Sequence, residues 1–285
     1  MLEDMVRGVE QQGSDLTVMV DGTYRVSSRG WTLANIGIMS TYWNTVTSKY
    51  QKTFVMIACC FMQSESIDLY NEFASALSNK FYELTGINFV PTFSIADHSD
   101  AVAGGLELAW PGLRVLTCWP HLVRNFWRRL KGKDPELQKK LMAHIYFLHA
   151  LPTQAAFDKL KDPIMAYWRN NMNEGALADW FESTYLERER WSGWFNGASG
   201  VAGVVANNNA LESAQRVQKT TETSKSRNAL NERVFTHTIL SILRHAKLHD
   251  NLRLVAHGPI PGSLVSKAIV MWTCTAAGKK CVIAC

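Results

Sequence analysis

A chain of 285 residues, 47% hydrophobic, 11% aromatic and 19% charged, suits one large globular domain or a core domain carrying a sizeable insertion. A net charge of +5 is only mildly basic, so it permits a nucleic-acid partner without demanding one. No apolar run is long enough to cross a bilayer and no charged-then-apolar leader opens the chain, which argues against a membrane partner. Six cysteines, Cys59, Cys60, Cys118, Cys274, Cys281 and Cys285, show no regular framework, and a reduced intracellular compartment is the simpler reading.

Residues 1–13 are polar and fit a frayed helix, so the chain opens close to its first strand, as a core shortened from a longer parent would. Residues 16–20 read as a strand, with Asp21 at its end and Gly22 in a turn. Residues 31–39 and 53–62 are further strands, the second apolar enough to be central. From about Ser66 to Leu84, Tyr70, Phe73, Ala74, Leu77, Phe81 and Leu84 recur at three- and four-residue steps, which predicts a helix with one buried stripe. A strand over 89–96, a short helix over 98–110 weakened by Gly104-Gly105, a strand over 114–118 and a helix through Leu130 follow. An antiparallel meander followed by βαβ-type units predicts an α/β fold, with a mixed sheet of about five strands flanked by helices.

Residues 133–205 contain no convincing strand and keep helical periods, as at Leu137, Leu141, Ile145 and Leu148, so they read as an all-helical insertion. The small-residue stretch from Gly193 to Gly203 returns the chain to the sheet, and helices are expected over 207–219 and 229–248. The resulting division is a first core part at 14–132, the insertion at 133–205, closing core helices at 206–250 and an irregular tail at 251–285.

Three separated patches make chemical sense together. Leu16–Val20 and Phe93–Ala96 are strand-like and lead into Asp21 and Asp97, while Asn207-Asn208-Asn209 reads as a capped helix start followed by Glu212. Side chains at strand ends point into the crevice beside a sheet. Carboxylates are hard oxygen ligands of the kind Mg²⁺ prefers, and a glutamate near a helix start is favoured by the helix dipole. Three such groups in one place can hold two divalent ions able to drive attack on a phosphodiester. Taken singly, an Asp before Gly is equally at home in a turn, and Asp100 competes with Asp97.

A fourth patch is Cys118-Trp119-Pro120-His121-Leu122-Val123-Arg124-Asn125. Cys118 and His121 share one face at a helix start. A zinc site would need two more ligands, for which only His144 and His149 are near; the preferred reading buries Cys118 and sends His121 into the crevice. Arg124, Arg128, Arg129, Lys131 and Lys133 cluster after this patch, and Lys219, Lys225, Arg227 and Arg233 follow the glutamate helix. Both groups could neutralise phosphates or form solvated helix faces, and Trp127 among them is expected to pack.

Asp21-Gly22-Thr23-Tyr24, Asp97 with Ala101 four later, Pro111 ahead of Cys118-x-x-His121-x-x-x-Asn125, Trp191-Ser192-Gly193-Trp194, and Asn208-Asn209-x-x-Glu212-Ser213 together resemble the transposase domain of Mutator-like elements (MULE) over about residues 15–220. The resemblance implies a ribonuclease H-like fold with a helical insertion before the last catalytic carboxylate. It implies a DDE mechanism in which Asp21, Asp97 and Glu212 bind two Mg²⁺ (or Mn²⁺) ions, with His121 near the metals and Cys118 and Asn125 accessory. It implies DNA as partner, both transposon ends and target, with action in the nucleus and a homo-oligomer allowed. Arg124, Arg128, Arg129, Lys131 and Lys219 are the candidate DNA contacts. His98 and Gln215 depart from the family pattern without removing a ligand, and the N-terminal zinc-bearing DNA-binding domain and C-terminal Cys-x-Cys motif of full-length relatives are not matched. The competing expectation is a domesticated or truncated DNA- or protein-binding module without catalysis; retention of all three acids favours the enzyme.

Overall fold

The computed structural model describes residues 15–24, 30–44, 47, 49–201 and 204–217, together with Thr236, Ile239 and Leu240. Strands β1 (Thr17–Thr23), β2 (Thr32–Asn44) and β3 (Lys49–Met62) form an antiparallel meander. On the other side of β1, β4 (Phe93–Ala96) and β5 (Arg114–Thr117) add in parallel, so the order across the sheet is β3-β2-β1-β4-β5. This is the mixed five-stranded sheet flanked by helices that the sequence predicts, and it is consistent with a ribonuclease H-like fold.

Strand alternation sends side chains to two separate cores. Val18, Val20, Ile36, Ile38 and Val115 pack on one face with α1 (Ile67–Thr85) and α2 (Asp100–Ala109). Met19, Phe93, Ile95 and Leu116 pack on the other, against α3 (Trp119–Leu130) and the helical segment that follows. The Ser66 hydroxyl caps α1 by accepting from the Leu69 N–H at 3.2 Å, and Gly86 closes the helix at φ 72°. Gly104 and Gly105 sit where α2 meets α1. A Cβ on Gly105 would lie 2.4 Å from Tyr70 Cβ and 2.6 Å from the Ile67 carbonyl oxygen, so only glycine lets the two backbones come this close.

Beyond α3 the described residues up to 201 hold no strand. They form α4 (Pro135–His149), α5 (Gln154–Asn170), α6 (Gly175–Tyr185) and a 3₁₀ turn at Glu189–Trp191, before the chain reaches α7 (Asn209–Val217). The Trp191–Trp194 run covers the outer edge of β5: the Thr117 N–H donates to the Gly193 carbonyl at 3.2 Å and its hydroxyl to the Trp191 carbonyl at 3.0 Å. A sheet edge left open would offer unpaired amides to other chains.

Several boundaries differ from expectation. Strand β1 does not end at Asp21, and Gly22 is no turn residue: it pairs with Ala34 inside the strand. Strands β2 and β3 are longer than the apolar runs that announced them, because cross-strand pairing carries them through polar residues to Asn44 and Lys49. Strand β4 starts only at Phe93, since Pro91 offers no N–H to a ladder. The expected N-terminal helix at 1–13, the end of the helix over 207–219 and the tail from 251 lie outside the described residues, as does the helix over 229–248 apart from three single positions.

Candidate active site

Strands β1 and β4 run parallel with Met19 opposite Ile95. Two residues further on, the same side of each chain carries Asp21 and Asp97. Their carboxylate oxygens and a ring nitrogen of His121 lie within 4.8 Å of one another. His121 arrives from the first turn of α3, whose start is tied down twice. The Cys118 N–H donates to the Ala96 carbonyl at 2.8 Å, next to Asp97, and the Trp119 N–H donates to the Ala206 carbonyl at 2.8 Å, on the approach to α7.

Helix α7 brings Glu212. The helix starts at Asn209: the Glu212 N–H donates to the Asn208 carbonyl at 3.1 Å, while the Asn207 side chain accepts from the Asn209 N–H at 2.9 Å. Ligand atoms of Cys118, His121 and Glu212 form a second group within 4.8 Å. Asp21, Asp97 and Glu212 thus gather around His121 in two overlapping groups. Gln215, one turn beyond Glu212, donates from Nε2 to the Asp21 carbonyl at 3.3 Å and fastens α7 to β1.

The electrostatics describe a pocket short of positive charge. Burial, then the charges of Asp97 and Glu212, push the Asp21 carboxyl up to about 7. Burial and Glu65 raise Asp97 to about 6, with Arg124 acting in the opposite direction. Burial, assisted by Arg124, lowers the His121 imidazole from its ordinary value, which keeps it neutral at pH 7. Burial pushes the Cys118 thiol up to about 12, so it stays protonated, with the His121 and Asn208 amides turned towards its sulfur. Two hard carboxylates that resist ionisation together, a third beside them, and a His121 Nδ1 with no hydrogen-bond partner make a donor set that fits divalent cations.

The remaining expected residues divide. Asn125 turns away from the carboxylates and donates from Nδ2 to the Tyr185 hydroxyl at 3.1 Å. Arg124 sits at the pocket, bound to Glu212 at 2.6 Å. Arg128 is exposed further along α3 and Lys131 just past its end, and Arg129 lies 4.6 Å over the Trp180 ring. Lys133 pairs with Glu174 at 2.7 Å. Lys219 lies outside the described residues. Trp127, expected to pack, is 45% exposed, because the buried side of α3 is already filled by Leu122, Phe126 and Leu130. The zinc reading for Cys118 and His121 fails at its other two ligands. His144 Nδ1 accepts from Trp168 Nε1 at 2.9 Å, and His149 stacks on Trp119 at 3.8 Å with its Nδ1 on the Trp194 carbonyl. His98, the residue after Asp97, packs on Trp191 with ring centroids 4.3 Å apart.

Sequence reasoning missed Glu65. It lies between β3 and the N-cap of α1, accepts from the Tyr70 hydroxyl at 2.7 Å and from Tyr24, and adds negative charge to both Asp21 and Asp97. It also explains Gly22, on which a Cβ would meet Glu65 Oε1 at 2.1 Å. No local pattern marks Glu65; its role follows from the meander, which returns the end of β3 towards the end of β1.

Fold and site together define an α/β domain with a carboxylate cluster at the ends of two adjacent parallel strands. Residues 17–125, from β1 into α3, match the family model of the MULE transposase domain. The matched segment includes Asp21, Asp97, Cys118, His121 and Asn125, while Glu212 lies beyond it. A search of curated proteins returned no match.

Proposed function

We propose that this chain is the catalytic core of a transposase that cleaves DNA and transfers the strand, using Asp21, Asp97 and Glu212 as ligands for two Mg²⁺ or Mn²⁺ ions. The observation that carries this reading is the convergence of Asp21, Asp97 and His121 within 4.8 Å, inside the segment that matches the MULE transposase domain. Ions bound there would polarise the scissile phosphate and make water, or a 3′-hydroxyl, acidic enough to attack.

The chain's own groups do the rest. The carboxylates hold the cations and, once paired with them, stay ionised. His121, neutral and beside both Asp21 and Glu212, accepts a proton from the attacking hydroxyl. Arg128, exposed on α3 beyond His121, and Lys131, exposed just past the end of that helix, take phosphates of the bound duplex. In this reading residues 133–205 are the insertion that precedes the last ligand, and the site of action is the nucleus. The presence of all three acids and the histidine favours catalysis over a binding-only descendant.

The test is nicking of supercoiled duplex DNA in Mg²⁺ or Mn²⁺ by the wild-type protein and by Asp97→Asn. Metal-dependent nicking lost in the variant, with folding intact by circular dichroism, is the expected result. Equal nicking by the two proteins rejects the site.

A further inference from the structure

Both carboxylate oxygens of Glu212 are taken by one guanidinium: Arg124 Nη2 lies 2.6 Å from Oε1 and Nη1 lies 3.2 Å from Oε2. A fork of this kind uses the lone pairs a divalent ion would need. Arg124 stands three residues beyond His121 on α3, so both side chains leave the same face of the helix. Its positive charge also acts on Asp97. Glu212 accordingly meets the pocket from beside it, with His121 Nδ1 3.4 Å away, rather than lying within the group formed by Asp21, Asp97 and His121. The Arg124 side chain is 49% exposed, so its guanidinium has open solvent to move into when it leaves Glu212.

We propose that Arg124 is the resting cation of the site: it holds Glu212 while no divalent ion is bound, then yields the carboxylate and carries its guanidinium to a substrate phosphate. This rests on the two-metal reading above and adds to it a coupling between metal loading and DNA grip. The exchange is between like charges. Arg124 neutralises Glu212 at rest, and on release it needs another anion, which the DNA backbone offers in bidentate form. Before loading, the positive face of α3 lacks this residue; after loading it regains it.

The test titrates Mn²⁺ into the metal-free protein by calorimetry, for wild type, Arg124→Gln and Arg124→Lys. Removing a competitor of exposed ion-pair strength should tighten Mn²⁺ binding about two- to fivefold in Arg124→Gln, with Arg124→Lys in between. DNA affinity is then followed against salt concentration, in Ca²⁺ and separately in EDTA. In Ca²⁺ the wild-type slope should exceed that of Arg124→Gln by about one phosphate contact, and in EDTA the two slopes should coincide. Unchanged or weaker Mn²⁺ binding in Arg124→Gln, or the same slope difference in both buffers, overturns the exchange. Asp97→Asn keeps the two readings apart. Undiminished Mn²⁺ binding there rejects the carboxylate site itself, whereas lost binding there beside an unaltered Arg124→Gln rejects only the role of Arg124.

Discussion

Asp21 is 8% exposed, and its carboxyl is raised to about 7 by burial and by its acidic neighbours; Asp97 is raised to about 6. Both lie above the unfolded value of 3.8, so the folded protein binds these protons more tightly than the unfolded chain does. The stability they contribute is complete below pH 4 and is lost as pH rises through 6 and 7, each unit of displacement corresponding to about 1.4 kcal/mol. Thermal unfolding of the metal-free protein should therefore move to lower temperature between pH 5 and pH 8. Asp21→Asn should flatten that fall and be the more stable protein at pH 8, and saturating Mg²⁺ should restore the wild type there. A wild-type profile that rises across this range would show that the two carboxyls are not displaced. Gly22 poses a second test at this scale, since an added Cβ meets Glu65 Oε1 at 2.1 Å, Thr32 Cγ2 at 3.1 Å and the Tyr70 hydroxyl at 3.2 Å. The Glu65 carboxylate can swing aside only by giving up its hydrogen bonds from Tyr70 and Tyr24, so Gly22→Ala should cost about 1 kcal/mol in urea unfolding. Part of that loss should return in Gly22→Ala/Glu65→Ala, as a double-mutant cycle would record.

At the scale of elements, the two glycines of α2 are a helix–helix contact rather than a weak point. A helix-propensity argument alone makes either Gly→Ala change favourable by about 1 kcal/mol. The contact geometry separates them. At Gly104 the nearest atoms are Ile67 Cδ1 and Cγ1, 3.1 and 3.2 Å from the added carbon, and a flexible side chain can give way. At Gly105 the obstacles include the Ile67 carbonyl at 2.6 Å and the Asn71 amide at 2.9 Å, which are backbone. Denaturation midpoints should show Gly104→Ala near neutral and Gly105→Ala destabilised by about 1–3 kcal/mol. Equal effects at the two positions would contradict the close approach of α1 and α2. Helix α3 is divided the other way: Leu122, Phe126 and Leu130 face the core, while Arg124, Trp127 and Arg128 are exposed, with Arg124 on Glu212.

For the molecule as a whole, the helical segment is continuous with the sheet. Met19, Ile95 and Leu116 from the strands share one core with Phe126, Leu141, Trp168 and Phe181 from the helices. Trp194 joins the two parts, with ring centroids 5.9 Å from Trp119, 5.3 Å from Phe157 and 5.7 Å from Phe181, and with Nε1 donating to the Tyr185 carbonyl at 3.1 Å. Its truncation to alanine should cost about 3–5 kcal/mol. Calorimetry of the wild type should give one transition whose measured and van't Hoff enthalpies agree. Two resolved transitions would mean that the helical segment and the sheet fold as separate units.

Element order and the positions of Asp21, Asp97 and His121 were legible in the sequence because they depend on local periodicity and on motifs of short span. Alternating apolar residues announce β1 and β4 whatever surrounds them, and a Cys-x-x-His step at a helix start shares a face by geometry alone. Gly22 was misread for the same reason, since a local rule puts glycine after aspartate in a turn, whereas here it pairs in a strand beneath Glu65. The grip of Arg124 on Glu212, the Gln215 tie to Asp21 and the approach of Glu65 to Gly22 were decided by tertiary structure. Each joins residues far apart along the chain through distances that exist only once β1, β3, α3 and α7 meet at one end of the strands.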